Sequence, residues 1–214
     1  MKKLLFLVTV MLVSGLSSGQ TGPKEKDFPV RYSLKVSKDT VSAHLKNNLG
    51  FKSRVYSPYL WIDRMTLISD AGSQITVRES DLDYLEITDH EGTVRKLVMP
   101  AVLSKLNLNL VEVNYEGKMS LYTDYYVDNR TRKLIVDQYL AEEGEKAIKV
   151  GFYGRGYDSA PGFKKYGELN IGFFNSFRKD LKKRLTGYPD LLDRVVEMKT
   201  YDDLMFILSE YNKK

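Results

Sequence analysis

The chain has 214 residues, with 33 lysines and arginines against 28 aspartates and glutamates and a formal charge of +5. That length suits one domain, or one domain with a small appendage, and it can bury a core without covalent staples. Cysteine is absent, which excludes disulfides, a thiol nucleophile and a cysteine-borne lipid anchor, and the interleaved charges give no electrostatic footprint for nucleic acid.

Met1, Lys2 and Lys3 precede an apolar run from Leu4 to Val13 and a small-residue zone from Ser14 to Gly19. A basic start, an apolar stretch of this length and small residues before a cut make residues 1–19 a secretory signal, leaving Gln20 first. The run is shorter than the ~20 apolar residues that span a bilayer, and no later segment approaches that length. The expected location is therefore periplasmic or outer-membrane-associated. Residues 20–27 are polar and turn-forming and read as a flexible leader.

Alternation with a period of two begins at Val30, Tyr32, Leu34 and Val36, resumes at Val41, Ala43 and Leu45, and predicts a hairpin around residues 37–40. Further strands are expected at 60–69 and 73–77 around Asp70-Ala71-Gly72. Strands at 82–88 and 93–99 flank Asp89-His90-Glu91-Gly92, and strands at 118–127 and 133–140 flank Asp128-Asn129-Arg130-Thr131. Residues 147–153 follow as a last strand. Between Leu106 and Tyr115 the apolar positions change parity, so either a bulge near Leu110 or a short helix over 100–105 feeding a strand is required.

Residues 154–173 read as a loop, after which the period becomes helical. Phe174, Phe177, Leu181 and Leu185 share one face, and Gly187-Tyr188-Pro189 ends that helix. Leu191, Leu192, Val195 and Val196 mark a second helix, and Thr200-x-x-Asp203 is a capping box for a third. The predicted fold is α+β. An antiparallel sheet or partly closed barrel over 28–153 is followed by a small helical bundle over 174–212, packed on or beside the sheet.

Chemistry-bearing motifs are few. His44 and His90 are isolated, no Gly-x-Ser-x-Gly elbow exists, and no cofactor or metal site is expected. Glu79, Asp81, Asp83, Glu86, Asp89 and Glu91 read as polar rims of strands. Gly154-x-Gly156 is a weak phosphate signal because no clean strand-to-helix turn surrounds it. Aromatic residues are the stronger pointer. Trp61, Tyr125, Tyr126, Tyr153, Arg155 and Tyr157 are the candidate ligand or partner contacts, since exposed rings stack on sugars, peptides or apolar groups.

Several segments together are familiar: Lys38-Asp39-Thr40-Val41 between two strands, residues 116–122, residues 177–183, Tyr188-Pro189-Asp190-Leu191-Leu192, and Tyr201-Asp202-Asp203-Leu204. The chain resembles a broad set of exported Bacteroidota proteins with a strand–Gly-Asp-Thr–strand start, a β-rich body and closing helices, although Lys38 stands where that pattern prefers glycine. The resemblance implies the architecture and carries no function. Asp158-Ser159-Ala160 is similar to that phylum's periplasmic O-glycosylation signal and makes Ser159 a candidate modification site.

The first functional reading is a non-enzymatic envelope protein acting through protein contacts. The alternative is a binder of a small apolar or sugar ligand, which a tyrosine-lined pocket would favour. A carboxylate-dependent hydrolase stands third and would need two acids facing each other across a cleft.

Overall fold

In a computed structural model of the chain, which describes residues 22–37, 39–48, 56–106, 108–150 and 171–214, the alternating segments form ten strands. They are β1 (Phe28–Leu34), β2 (Val41–Leu45), β3 (Arg64–Ile68), β4 (Gln74–Arg78), β5 (Leu82–Thr88), β6 (Val94–Val98), β7 (Val111–Tyr115), β8 (Met119–Val127), β9 (Leu134–Glu142) and β10 (Ile148–Val150). They make one antiparallel sheet in the order β10-β9-β8-β7-β6-β5-β1-β2-β3-β4. Three helices close the chain: α1 (Ile171–Arg184), α2 (Pro189–Glu197) and α3 (Tyr201–Asn212). The fold is α+β, with an open sheet whose two edge strands do not pair. The proposed signal segment and part of the leader lie outside the described residues.

Local chemistry explains the hairpins. Gly72 and Gly92 sit at φ of 84° and 81°, a region that a side chain makes costly. The Asp89 carboxylate braces the second of these turns by accepting the N–H groups of Glu91 and Thr93 at 3.0 and 2.8 Å. Elsewhere the boundaries differ from those expected. Pro58 opens a 3-10 turn over Pro58–Leu60, so β3 starts only at Arg64. The change of parity before Tyr115 is resolved by a short helix, a 3-10 segment over Ala101–Leu106, and by an irregularity in β7 between Val113 and Tyr115. The end of the leader is tied down rather than free: Asp27 is buried, and its carboxylate accepts the N–H groups of Lys24 and Asn47.

The sheet curls across its own apolar face. One buried cluster joins β1 to β6 with Trp61, Leu110, Tyr125 of β8 and Leu134 of β9. The rings of Trp61 and Tyr125 meet edge-on at 6.0 Å. Beneath them runs a polar network: Tyr125 donates to Glu112 at 2.8 Å, Arg95 pairs with Glu112 at 2.9 Å and lies over the Tyr56 ring, and Trp61 donates to the Tyr56 hydroxyl. Such a network of hydrogen bonds fixes ring positions that apolar packing alone would leave adjustable.

A second cluster lies further along the same face of β8 and β9, where Met119, Leu121 and Leu140 meet Phe177, Leu181, Leu185, Leu191, Val195, Leu204 and Leu208 of the tail. Thr123 and Gln138, hydrogen-bonded to each other, separate the two cores. The capping box forms as the sequence predicts: Thr200 Oγ1 accepts the Asp203 N–H, and Asp203 accepts the Thr200 N–H. Pro189 starts α2, which sets its phase: Leu191 and Val195 point inward, four residues apart, and Val196 is 52 % exposed instead of buried. Met198 takes the inward place. No helix among the described residues is long and apolar enough to cross a membrane.

Asn212 docks the last turn of α3. Its side chain accepts the Met119 N–H at 2.8 Å and donates to the Met119 carbonyl at 3.0 Å, and Tyr211 donates to Glu142 at 2.9 Å. Asn212→Ala leaves both backbone groups of Met119 without their partner, so it should lower stability by about 1–2 kcal/mol in urea unfolding. A variant with the parent's midpoint would show that the two bonds contribute nothing.

Candidate functional site

A groove forms where β7 stops pairing. The register of β7 on β8 reaches Glu112 opposite Thr123 and goes no further, so Asp124–Val127 of β8 continue beyond it beside β9. Leu108 and Asn109, which precede β7, line the space there together with Tyr59, Ile62, Asp63 and Glu79. The result is a cavity of about 730 Å³ lined by Tyr59, Asp63, Glu79, Asp124, Tyr126, Arg132, Asp137 and Tyr139 among others. A volume of that size suits a small organic ligand.

Glu79 closes one side. It is buried immediately after β4, and its two carboxylate oxygens accept the N–H groups of Leu110 at 3.2 Å and Asp63 at 3.0 Å. Glu79 returns its own N–H to the Asp63 carbonyl at 3.0 Å. Burial pushes this carboxyl up to about 7, more than those two backbone bonds pull it down, and the Asp124 charge adds to the rise. The sequence placed Glu79 on a polar rim. Its burial follows instead from the curl that brings the end of β4 to the start of β7.

Asp124 and Asp137 stand directly opposite each other on β8 and β9. Like charges in such a pair repel. Asp137 has partners: Lys149 donates to it at 2.6 Å and the Tyr126 hydroxyl at 3.3 Å. Asp124 is 6 % exposed, and among the described residues its carboxyl accepts only the Tyr125 backbone N–H. Burial, then the charge of Asp137, raise it to about 6 against the pull of Lys149 and that N–H. Burial and the same two aspartates hold the Tyr139 hydroxyl well above its ordinary value, so it is a donor at neutral pH.

The backbone is strained at the same place. Among the described residues, Asp63 and Arg132 are the non-glycine positions with positive φ, at 66° and 59°, and both line the groove. Left-handed backbone costs a side-chain-bearing residue about 1–2 kcal/mol, and such strain collects at functional sites.

No family model, curated protein or solved structure matches the chain.

Function is therefore read from the groove. Of the residues singled out from the sequence, Tyr126 lines it and is 41 % exposed. Tyr125 lines it as well, but its ring packs on Trp61 and its hydroxyl is committed to Glu112. Trp61 is fully buried in the first core, which removes it from the contact set. An aromatic between Leu60 and Ile62 fits a core as readily as a surface, and only the curl of the sheet decides. Tyr153, Arg155, Tyr157 and Ser159 lie outside the described residues. Tyr59, Asp63, Asp124, Arg132, Asp137 and Tyr139 were not singled out, and the alternation Tyr122-Asp124-Tyr126 was the local signal for part of that set. Of the histidines, His44 is half-buried near Asp70, and His90 is exposed at its turn, where its ring stacks on Phe28. No group of three acids or histidines among the described residues is arranged to hold a metal.

Proposed function

We propose that this chain is an exported, non-enzymatic binding protein whose groove holds a small, polar, hydroxyl-bearing ligand. The observation that carries this reading is a coincidence in space. One 730 Å³ cavity collects the two left-handed side-chain-bearing positions found among the described residues, two buried carboxyls with raised pKa and three tyrosines besides Tyr125. Carboxylates, Asn109, Asn129 and Arg132 supply acceptors and donors for hydroxyl groups, and the tyrosine rings supply apolar faces. An apolar ligand would leave those polar groups desolvated and unpaired. Export rests on residues 1–19. Glu79 is a poor general acid for a hydrolase, because both its oxygens are occupied by backbone N–H groups.

Action through protein contacts retains one specific support. Phe206 of α3 and Val196 of α2 are exposed at 50 % and 52 %, with Arg194 over the Phe206 ring. An ¹H–¹⁵N correlation titration with neutral monosaccharides, amino sugars and small diamines separates the two readings. The groove reading predicts shifts confined to residues 59–63, 108–110 and 124–139. A panel that leaves those amides unmoved would refute it.

A further inference from the structure

The acids lining the groove are not equivalent. Asp137 is paired with Lys149 and Tyr126, the Glu79 oxygens are taken by backbone groups, and Asp63 is exposed to water. Asp124 differs from all three: it is more than nine-tenths buried, lines the cavity, and the cation that acts on it, Lys149, is bonded to Asp137 instead. A buried carboxylate without a cationic partner is costly, and a cation brought by a ligand removes that cost. The surroundings suit such a cation. On the outward face of β8 and β9, the Asp124–Asp137 pair is bracketed by the Tyr122–Tyr139 pair on one side and by Tyr126 on the other. Tyrosine faces attract cations, most strongly where water is excluded. Against the four acids of the lining, Arg132 is the cationic side chain that shares it.

We infer that the groove recognises a ligand bearing a protonated amine, seated against Asp124 between the rings of Tyr126 and Tyr139. The inference rests on the groove being a binding site and goes further by naming the charge of what it holds. It also implies proton release. A cation drawn to Asp124 favours the ionised carboxyl, so binding near pH 6 expels protons that the free protein retains. Asp137, Lys149 and Glu79 act on the same carboxyl, Asp63, Arg132, Tyr126 and Tyr139 share the groove lining with it, and Asp124 with Glu79 are the members raised into that range.

Glucosamine and glucose form the decisive pair of probes, since they share a hydroxylated frame and differ by one ammonium. Calorimetric titration at about pH 6 should show glucosamine binding at least about tenfold more tightly than glucose, a gap of about 1.4 kcal/mol. The heat should depend on buffer ionisation, as proton release requires. Asp124→Asn should abolish the difference between the two sugars. Should that variant fail to fold, the parent gives a second reading: raising salt from about 0.05 to about 0.5 M should weaken glucosamine and spare glucose. Equal affinity for the two sugars, with shifts in the groove amides, would overturn the charge assignment and leave the binding groove standing. If neither glucosamine nor 1,4-diaminobutane moves the groove amides while a neutral sugar does, the assignment is likewise overturned. If no member of the wider panel moves them, the binding reading falls with it.

Discussion

Glu79→Ala should lower the stability of the fold by about 1–3 kcal/mol, because it orphans the buried N–H group of Leu110 and also removes the partner of the part-buried Asp63 N–H. Those bonds join the end of β4 to the start of β7 and hold Asp63 in its left-handed conformation, so the change should also loosen the groove. The loss should depend on pH in a definite direction. The folded carboxyl titrates at about 7, above its ordinary value of 4.5, so the native state holds this proton more tightly than the unfolded chain. Its contribution is therefore fully present below the unfolded value and declines as pH rises through the folded one. The parent loses this contribution between about pH 5 and about pH 8 and the variant has none to lose, so urea unfolding should show a larger difference between them at the acidic end. A difference that grows towards alkaline pH would mean that Glu79 is held ionised in the fold.

Leu204→Ala should cost about 2–5 kcal/mol, the usual range for truncating a fully buried leucine. Leu204 is on α3, in the cluster that joins all three helices to β8, β9 and β10. The nine-residue α2 and twelve-residue α3 are too short to be stable alone, so the tail depends on this packing. Val196→Ala is the matched control: that side chain faces water, and its removal should change stability by less than about 0.5 kcal/mol. Guanidinium unfolding of the pair gives the comparison. Equal midpoints would show that the tail does not rest on the sheet.

What the sequence revealed was local. The Thr200–Asp203 box, the turn of Asp89 to Gly92 and the apolar alternation of Val30, Tyr32 and Leu34 are set within a few residues and appear where the pattern predicts, whereas Val36 lies past the end of β1 and is exposed. Two adjacent valines, 195 and 196, could not both face a core, and the position of Pro189 decides between them only once the helix is docked. The groove was less legible. Glu79 and Leu110 are 31 positions apart, and nothing in either segment announces that the sheet will curl far enough to join them. Asp124 looks like one more polar residue on an outward strand face until β7 ends beside it and Asp137 arrives opposite. Trp61 shows the reverse: an aromatic that suggested a surface contact is drawn inward by Tyr56 and Tyr125.

The claim that the groove is built for a ligand meets its most direct test in Tyr126→Ala. Tyr126 is 41 % exposed, and its bond to Asp137 is at the surface, so packing gives little reason for it to be there. Melting temperature and the groove's amide response to the sugar and amine panel should be measured on one sample of the variant. A ligand groove requires a melting temperature close to the parent's and a loss of at least about tenfold in affinity for the bound probe, as aromatic anchors dominate binding energy. A variant that melts markedly lower and binds the probe as the parent does would make Tyr126 a packing residue and contradict the account.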